Sequence, residues 1–271
     1  MTFRLIRYLY GRVRFQNLFE ILLSISLKGM NFYNAGDINL SGEKKLLSDL
    51  RQKIDIVKSN EKLVFFDVGA ATGEYSECIL NVFSELDISI HLFEPTKSYR
   101  NELEYKFSNN LNVSLNLISI GDDNKEATLY CTEDAKGINS IYDRARDFQK
   151  NKVEVNTTYK VEMSTLDDYC IEHDINSIFF LKIDTEGNEF DCLNGAYELL
   201  KDNKIYSLLF EFGGANVDAK TFFYDFWTLL NNKFNLFRVG IDGLYPIKNY
   251  DRKLEIFISI NYFAVLKKQF Q

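Results

Sequence analysis

Histidine, proline and tryptophan are nearly absent from this chain of 271 residues, which has two His, two Pro and one Trp. With only His91 and His173, a His-rich metal centre is excluded. Two prolines leave no room for a Pro-rich linker or tail. Cys78, Cys131, Cys170 and Cys192 are scattered, without a CxxC pair. That excludes a zinc knuckle or a disulfide framework and points to reduced core thiols in a cytoplasmic protein. No apolar run is long enough to span a bilayer, and no secretory signal is evident. The run from Ile21 to Leu27 is short and has Glu20 at its edge. Internal repeats and low-complexity tracts are absent as well. The net charge of −7 argues against a nucleic-acid binder that works by broad phosphate neutralisation.

What the chain does have is aromatic carbon. Its 23 Phe and 16 Tyr supply a sizeable core for one large domain or two small ones. The first thirty residues depart from the acidic remainder. Arg4, Arg7, Arg12, Arg14 and Lys28 stand there against Glu20 alone, a net charge of +4. Phe3, Leu5, Ile6, Tyr8, Leu9 and Tyr10 interleave with the arginines. Two readings are open: a basic amphipathic segment in peripheral contact with an anionic membrane, or a helical cap packed on the main domain or on a second subunit in a homo-oligomer. Residues 1–40 are expected to be an accessory helical segment, and residues 41–271 the main domain.

From Ser41 onward apolar spacing alternates between two periods. Helical spacing covers 41–57 (Leu46, Leu47, Leu50, Ile54, Val57), 74–86, 96–107, 165–173, 189–200 and 218–230. Short apolar runs read as strands at 63–68, 88–93, 113–120, 178–183, 205–212, 234–239 and 261–266, with a short edge strand at 126–131 and another short strand at 159–163. Strand and helix in alternation imply a parallel sheet covered on both faces. The last two strands lack a helix between them and can pair antiparallel. Residues 133–158 are polar and aperiodic, which marks a functional loop or a disordered one.

Two strand ends carry the chemistry. Ligands of open α/β sheets bind at the carboxyl ends of strands. The strand at 63–68 runs into Asp67-Val-Gly-Ala-Ala-Thr-Gly73. Gly69 allows a tight turn, and Gly73 opens the next helix with its N–H groups toward the crevice. Gly-x-x-x-Gly is not the dinucleotide spacing, and Asp67 would repel a phosphate. A cofactor with an ammonium or sulfonium group fits better, and S-adenosyl-L-methionine is such a cofactor. Ala70 belongs to the same loop. Glu94, followed by Pro95, lies 27 positions beyond Asp67 and can take both ribose hydroxyls. Asp122 is the candidate partner for the adenine amine. The second strand end is Leu181-Lys-Ile-Asp-Thr-Glu-Gly-Asn-Glu189, with Asp184, Glu186 and Glu189 crowded on one edge. A polar turn favourable to the helix dipole would look similar.

These segments resemble the FkbM family of S-adenosylmethionine-dependent methyltransferases. The resemblance is carried by Asp67-Val-Gly-Ala-x-x-Gly73, Phe93-Glu-Pro95, Thr165-Leu-Asp-Asp168, Leu181-Lys-Ile-Asp-x-Glu-Gly-x-Glu189 with Leu193-x-Gly-Ala196, and Leu209-Phe-Glu211. It covers roughly residues 41–267. It implies a Rossmann-like class I methyltransferase: a mostly parallel seven-stranded sheet with an antiparallel last strand and helices on both faces. The family usually has Asn where this chain has Ala71, which removes one side-chain hydrogen bond near the cofactor. The resemblance also sets Asn139 and Ser140 in a family-like loop.

Methyl transfer requires alignment of an acceptor and the handling of one proton. Asp184 is the leading candidate to bind or deprotonate an acceptor hydroxyl. Lys182 shares its side of the strand by alternation. Glu186 and Glu211 come from adjacent loops, and His173 is a further candidate base. A divalent metal on Asp184, Glu186 and Glu211 is chemically conceivable, but no spacing demands one. The loop at 133–158 carries Asn139, Ser140, Tyr142, Asp143, Arg144, Arg146, Asn151 and Asn156. That mixture suits a hydroxyl-rich ligand as well as it suits a solvated loop. The resemblance implies O-methylation of a sugar hydroxyl in a surface polysaccharide or its precursor, by an enzyme in the cytoplasm or at the membrane face. The alternatives are a nucleotide-dependent sugar oxidoreductase or epimerase, and a non-catalytic cofactor-binding scaffold.

Overall fold

The computed structural model describes residues 9–57, 62–132, 139–144 and 157–267. Arg4 and Arg7, with Phe3, Leu5, Ile6 and Tyr8, lie outside the described residues. So do Arg146, Asn151 and Asn156 of the polar loop.

Five apolar runs become strands close to the expected limits: β1 (Leu63–Val68), β2 (Ile88–Phe93), β7 (Ile178–Ile183), β8 (Ile205–Phe212) and β11 (Ile260–Leu266). With β3 (Val113–Asn116), β9 (Phe234–Gly240) and β10 (Gly243–Ile247) they form an eight-stranded sheet of order β10-β9-β11-β8-β7-β1-β2-β3. Within that order the run β8-β7-β1-β2-β3 pairs in parallel. The last strand, β11, is antiparallel to both of its neighbours. The seven expected strands are thus joined by an eighth, β10, which closes a hairpin on β9 through Ile241 and Asp242. Pro246 is tolerated there because β10 is an edge strand.

The run at 113–120 divides. After β3, β4 (Ser119–Ile120) leaves the main sheet for a three-stranded one, with β5 (Lys125–Cys131) antiparallel to β6 (Thr157–Ser164). This small sheet stands beside the carboxyl ends of the main strands and carries the polar loop between β5 and β6.

Alternation along each strand feeds two cores. Phe65, Phe180 and Leu209 face α2 (Glu43–Val57), α3 (Glu74–Val82) and α4 (Lys97–Phe107). Phe66, Leu181 and Leu208 face α5 (Leu166–Glu172), α6 (Glu189–Asn194), α7 (Tyr197–Lys201) and, past the short α8 (Ala215–Ala219), α9 (Phe223–Leu230). Two expected helices are each divided, for visible reasons. Asp167 accepts the N–H groups of Glu198 and Leu199 at 2.9 and 3.0 Å, which caps a fresh helix at α7. Glu255 does the same for Phe223 and Tyr224 at 2.8 and 2.9 Å, after Lys220 has turned left-handed at φ 57°.

Before the domain stands α1 (Gln16–Gly29), which touches the body chiefly through its last turn, at buried Leu27. The chain then docks. Phe32 is 1 % exposed and lies in the core. Asn31 Nδ2 donates to the carbonyls of Ser41 and Val239 at 2.9 and 3.2 Å. The segment 31–42 is therefore tied to the domain at Asn31, Phe32 and Ser41, with Tyr33 and Leu40 left exposed, and Phe32 is the anchor. Phe32→Ala should cost about 3–5 kcal/mol, the usual penalty for emptying a buried Phe site. Urea unfolding checks this, and a loss below about 1 kcal/mol would make the segment an appendage.

Candidate active site

The site is built where β1, β2, β7 and β8 end. Gly69, at φ 81°, brings the first loop against β7. A Cβ at Gly69 would lie 1.8 Å from the Asp184 carbonyl oxygen, so the close approach it permits is between two loops of the protein. Gly73, at φ 80°, opens α3 but packs on Leu103 and Phe107 of α4 and does not line a cleft. Ala71 sits between them at φ 47°, a left-handed conformation that Asn tolerates better than Ala.

Lys182 lies directly across from Asp67 in the β1–β7 register. It is 7 % exposed, with Nζ 3.2 Å from Asp184 Oδ2 and 3.7 Å from Asp67 Oδ1. Burial opposes its charge, but Asp184, Asp67 and Glu43 outweigh burial and hold its pKa above the usual lysine value. Asp67 is fully buried: Oδ2 accepts from Ser76 Oγ at 2.7 Å, and Oδ1 accepts no hydrogen bond. Burial raises its pKa against the pull of Lys182. Asp67 thus works from beneath the loop.

Glu94 is held from both sides. Its Oε2 accepts the Ala71 N–H and its Oε1 the Thr96 N–H, each at 2.8 Å. Burial raises its pKa, and these bonds oppose the rise. A cleft opens over it, lined by Gly69, Glu94 and Pro95, by Ser119 and Ile120 of β4, by Asn139 and Ser140 of the polar loop, and by Asn188. A second, roomier cavity is lined by Glu43, Ala70, Lys182 and Glu211. The two share Gly69, Ala71, Tyr99, Asp184 and Glu186. Of the expected residues, Asp67 and Gly73 lie behind the loop and line neither cavity, and Asp122 is carried to the surface. It sits on an exposed turn, paired with Lys125 at 2.8 Å. The two histidines contact Tyr169, away from both cavities.

The turn after β7 is held by Glu189. Its carboxylate accepts the N–H groups of Thr185 and Gly187 at 2.9 and 3.0 Å, and Asn216 Nδ2 at 3.3 Å. This fixes Glu186 at φ 56°, where Arg144 pairs with its carboxylate and Ser140 Oγ donates to its carbonyl at 2.7 Å. Burial raises the Glu186 pKa while Arg144 lowers it. Glu211 receives the Ser259 hydroxyl, and burial beside Asp184 and Glu186 lifts its pKa well above the carboxylate range. Among the described residues, no group of three or more His, Cys, Asp and Glu side chains is arranged to hold a metal ion.

Two residues escaped the sequence reading. Glu43 looks like an ordinary acid in the first turn of α2, and nothing local points it at a sheet 140 residues downstream. Asn188 looks like one more polar turn residue. It is 2 % exposed, donates to the Ile120 carbonyl at 2.6 Å, and leaves Oδ1 without a partner.

Glu43 also governs a pH response. Burial raises its pKa from 4.5 to about 7, against the opposing pull of Lys182 and the Ser41 hydrogen bond. Between pH 4.5 and 7 the folded chain keeps a proton on Glu43 that the unfolded chain has lost. Its contribution to stability therefore falls as pH rises through that window. Glu43→Gln should remove up to about 3 kcal/mol of that decline. Urea unfolding at pH 5 and pH 8 measures it, and an unchanged difference between the two pH values would place the titration elsewhere.

The family model for the methyltransferase FkbM domain matches residues 67–238. No curated protein matches the chain. Among solved structures, the chain is similar to an FkbM methyltransferase from Methylobacillus flagellatus KT. Identity is 14 %, the match covers 76 % of this chain and 45 % of that one, and the TM-score is 0.43. The chain thus spans less than half the length of that relative. It is also similar to magnesium protoporphyrin IX methyltransferase from Synechocystis PCC 6803, solved with S-adenosylmethionine bound. There identity is 9 %, the match covers 83 % of this chain and 80 % of that one, and the TM-score is 0.40. A third is precorrin-6y C5,15-methyltransferase from Geobacter metallireducens GS-15, at 11 % identity, with 82 % and 88 % covered and a TM-score of 0.37. These scores are too low to carry weight, so the assignment rests on the family model. Its match takes in the first loop, Glu94 and the whole turn after β7, and by it the chain belongs to the FkbM family of S-adenosylmethionine-dependent methyltransferases.

Proposed function

We propose that the chain is an S-adenosylmethionine-dependent O-methyltransferase whose acceptor is a sugar hydroxyl of a surface glycan or its precursor. One observation carries the reading: the two cavities meet at Asp184. A methyl donor and an acceptor must approach one point from opposite sides, and of the two carboxylates that border both spaces Glu186 is paired with Arg144, which leaves Asp184.

The residues present fit the cofactor. Each Glu94 oxygen spends one lone pair on a backbone N–H and keeps another for a ribose hydroxyl. Val68, Phe93, Ile118, Ile120 and Leu129 give that cleft apolar walls suited to a flat ring. The unpartnered Asn188 Oδ1 is an acceptor for the adenine amine, the task first given to Asp122. Buried oxygens rarely lack a donor, and a ligand N–H supplies one.

When bound, S-adenosylmethionine supplies a methyl group activated by its sulfonium. The chain's residues do the rest. Asp184 is about one-third exposed at the shared border, with its carboxylate oriented by Lys182. It accepts the proton that an acceptor hydroxyl loses as the methyl group is transferred. Lys182 also balances the charge of Asp67 and so keeps the base in place. The second cavity sets Thr72, Glu43, Glu74, Lys182 and Glu211 beside Ala35, Ile38, Ala70 and Tyr75, a mixed lining whose polar groups suit a hydroxyl-bearing acceptor. Loss of a methyl group from a cell-surface sugar on removal of the protein supports this acceptor class. Unchanged glycans with a methyl group missing from a lipid or protein would contradict it.

Two variants test the assigned roles. Asp184→Asn should keep cofactor affinity and lower turnover by about 10²–10⁴-fold, the usual range for a general base. Wild-type turnover would remove Asp184 from the chemistry. Asn188→Ala should weaken binding of S-adenosylhomocysteine by about tenfold and abolish the preference for adenine over hypoxanthine in that ligand. Calorimetry with both ligands reads this out, and an intact preference would assign the ring to other groups.

A further inference from the structure

The apolar side of α1 that faces away from the domain has no partner among the described residues. At 100° per residue, Leu18, Ile21, Leu22 and Ile25 fall on one side and Leu27 on the opposite one. Leu27 is the side chain buried against the domain, while those four are 46 %, 58 %, 47 % and 61 % exposed. Asn17, Glu20, Ser24 and Lys28 form a narrow polar stripe along the flank. Phe19 and Leu23, the latter 59 % exposed, lie between these two sides, so apolar surface covers all of the helix but the polar stripe, and most of it faces away from the body. Exposed Val13 and Tyr10 extend the apolar surface toward the N-terminus. The helix has 14 residues, about 21 Å, which is short of the hydrocarbon core of a bilayer. No helix among the described residues is long and apolar enough to cross a membrane.

Charge selects the occupant. Exposed Arg12 and Arg14 precede the helix and exposed Lys28 closes it, in a segment of net charge +4. A symmetric pairing of two copies through α1 would set these like charges against one another, whereas an anionic surface attracts them all. We infer that α1 lies in the headgroup layer of an anionic membrane, with Leu18, Ile21, Leu22 and Ile25 sunk toward the acyl chains and the basic residues on lipid phosphates. The helix is anchored through Leu27 and buried Phe32, so docking would hold the catalytic domain at the membrane face.

The test is flotation of the full chain with vesicles of phosphatidylcholine alone and with about 30 % phosphatidylglycerol. Binding should occur on the anionic vesicles and fall as salt rises. Leu22→Glu with Ile25→Glu, and separately Arg12→Glu with Arg14→Glu, should each lower the bound fraction at least about tenfold. Equal binding to both vesicle types, or to neither, would overturn the inference from the wild-type chain alone. So would a dimer in sedimentation that Leu22→Glu with Ile25→Glu dissolves while vesicles leave the chain unbound, since α1 would then be a contact between copies.

Discussion

A lysine inside a core strand is costly unless its charge is met, and Lys182 is the constraint around which this site is organised. It projects from β7 with 7 % of its surface exposed, beside Asp67 of β1 and Asp184 at the end of its own strand. Glu43 adds its field from α2. Removing one member of such a buried pair typically costs about 3–5 kcal/mol, because the other charge is stranded. The ends of β1 and β7, more than a hundred residues apart in the sequence, are therefore tied to one ammonium. The result is a carboxylate, Asp184, fixed in place at the border of two cavities.

The backbone around that carboxylate is strained and stabilised locally. Ala71 and Glu186 both sit at positive φ, and each is opposite a glutamate that gathers N–H groups. Glu94 does this for the first loop, and Glu189 for the turn after β7. Each acid holds a loop in the shape that its neighbours use. That explains why a motif dense in carboxylates is not a set of equivalent catalytic candidates: Glu189 is structural, Glu94 is structural with lone pairs to spare, and Asp184 borders open space.

Much of this was legible in the chain. Strands such as Leu63–Val68 and Ile178–Ile183 are short apolar runs cut off by acidic and glycine residues, so their limits could be read directly. Alternation placed Lys182 on the same side of its strand as Asp184, and the structure shows the two paired. Helix limits were less legible, because they depend on distant acids such as Asp167 and Glu255 that cap the second half of an interrupted run. β10 was hidden by Pro246, which an edge strand accepts. Asp122 was expected beside the cofactor because that residue ends a strand run. The small sheet instead turns Asp122 to solvent and brings Asn188 beneath Ile120. Such choices are made by tertiary contacts and leave no local trace.

The central claim is that cofactor and acceptor meet at Asp184. A crystal structure of the chain with S-adenosylhomocysteine tests it most directly. The ribose is expected on Glu94, the adenine beside Asn188 and Ile120, and the sulfur facing Asp184 with the second cavity open beyond it. A ligand bound away from Glu94, or one whose sulfur faces a closed wall, would contradict the account.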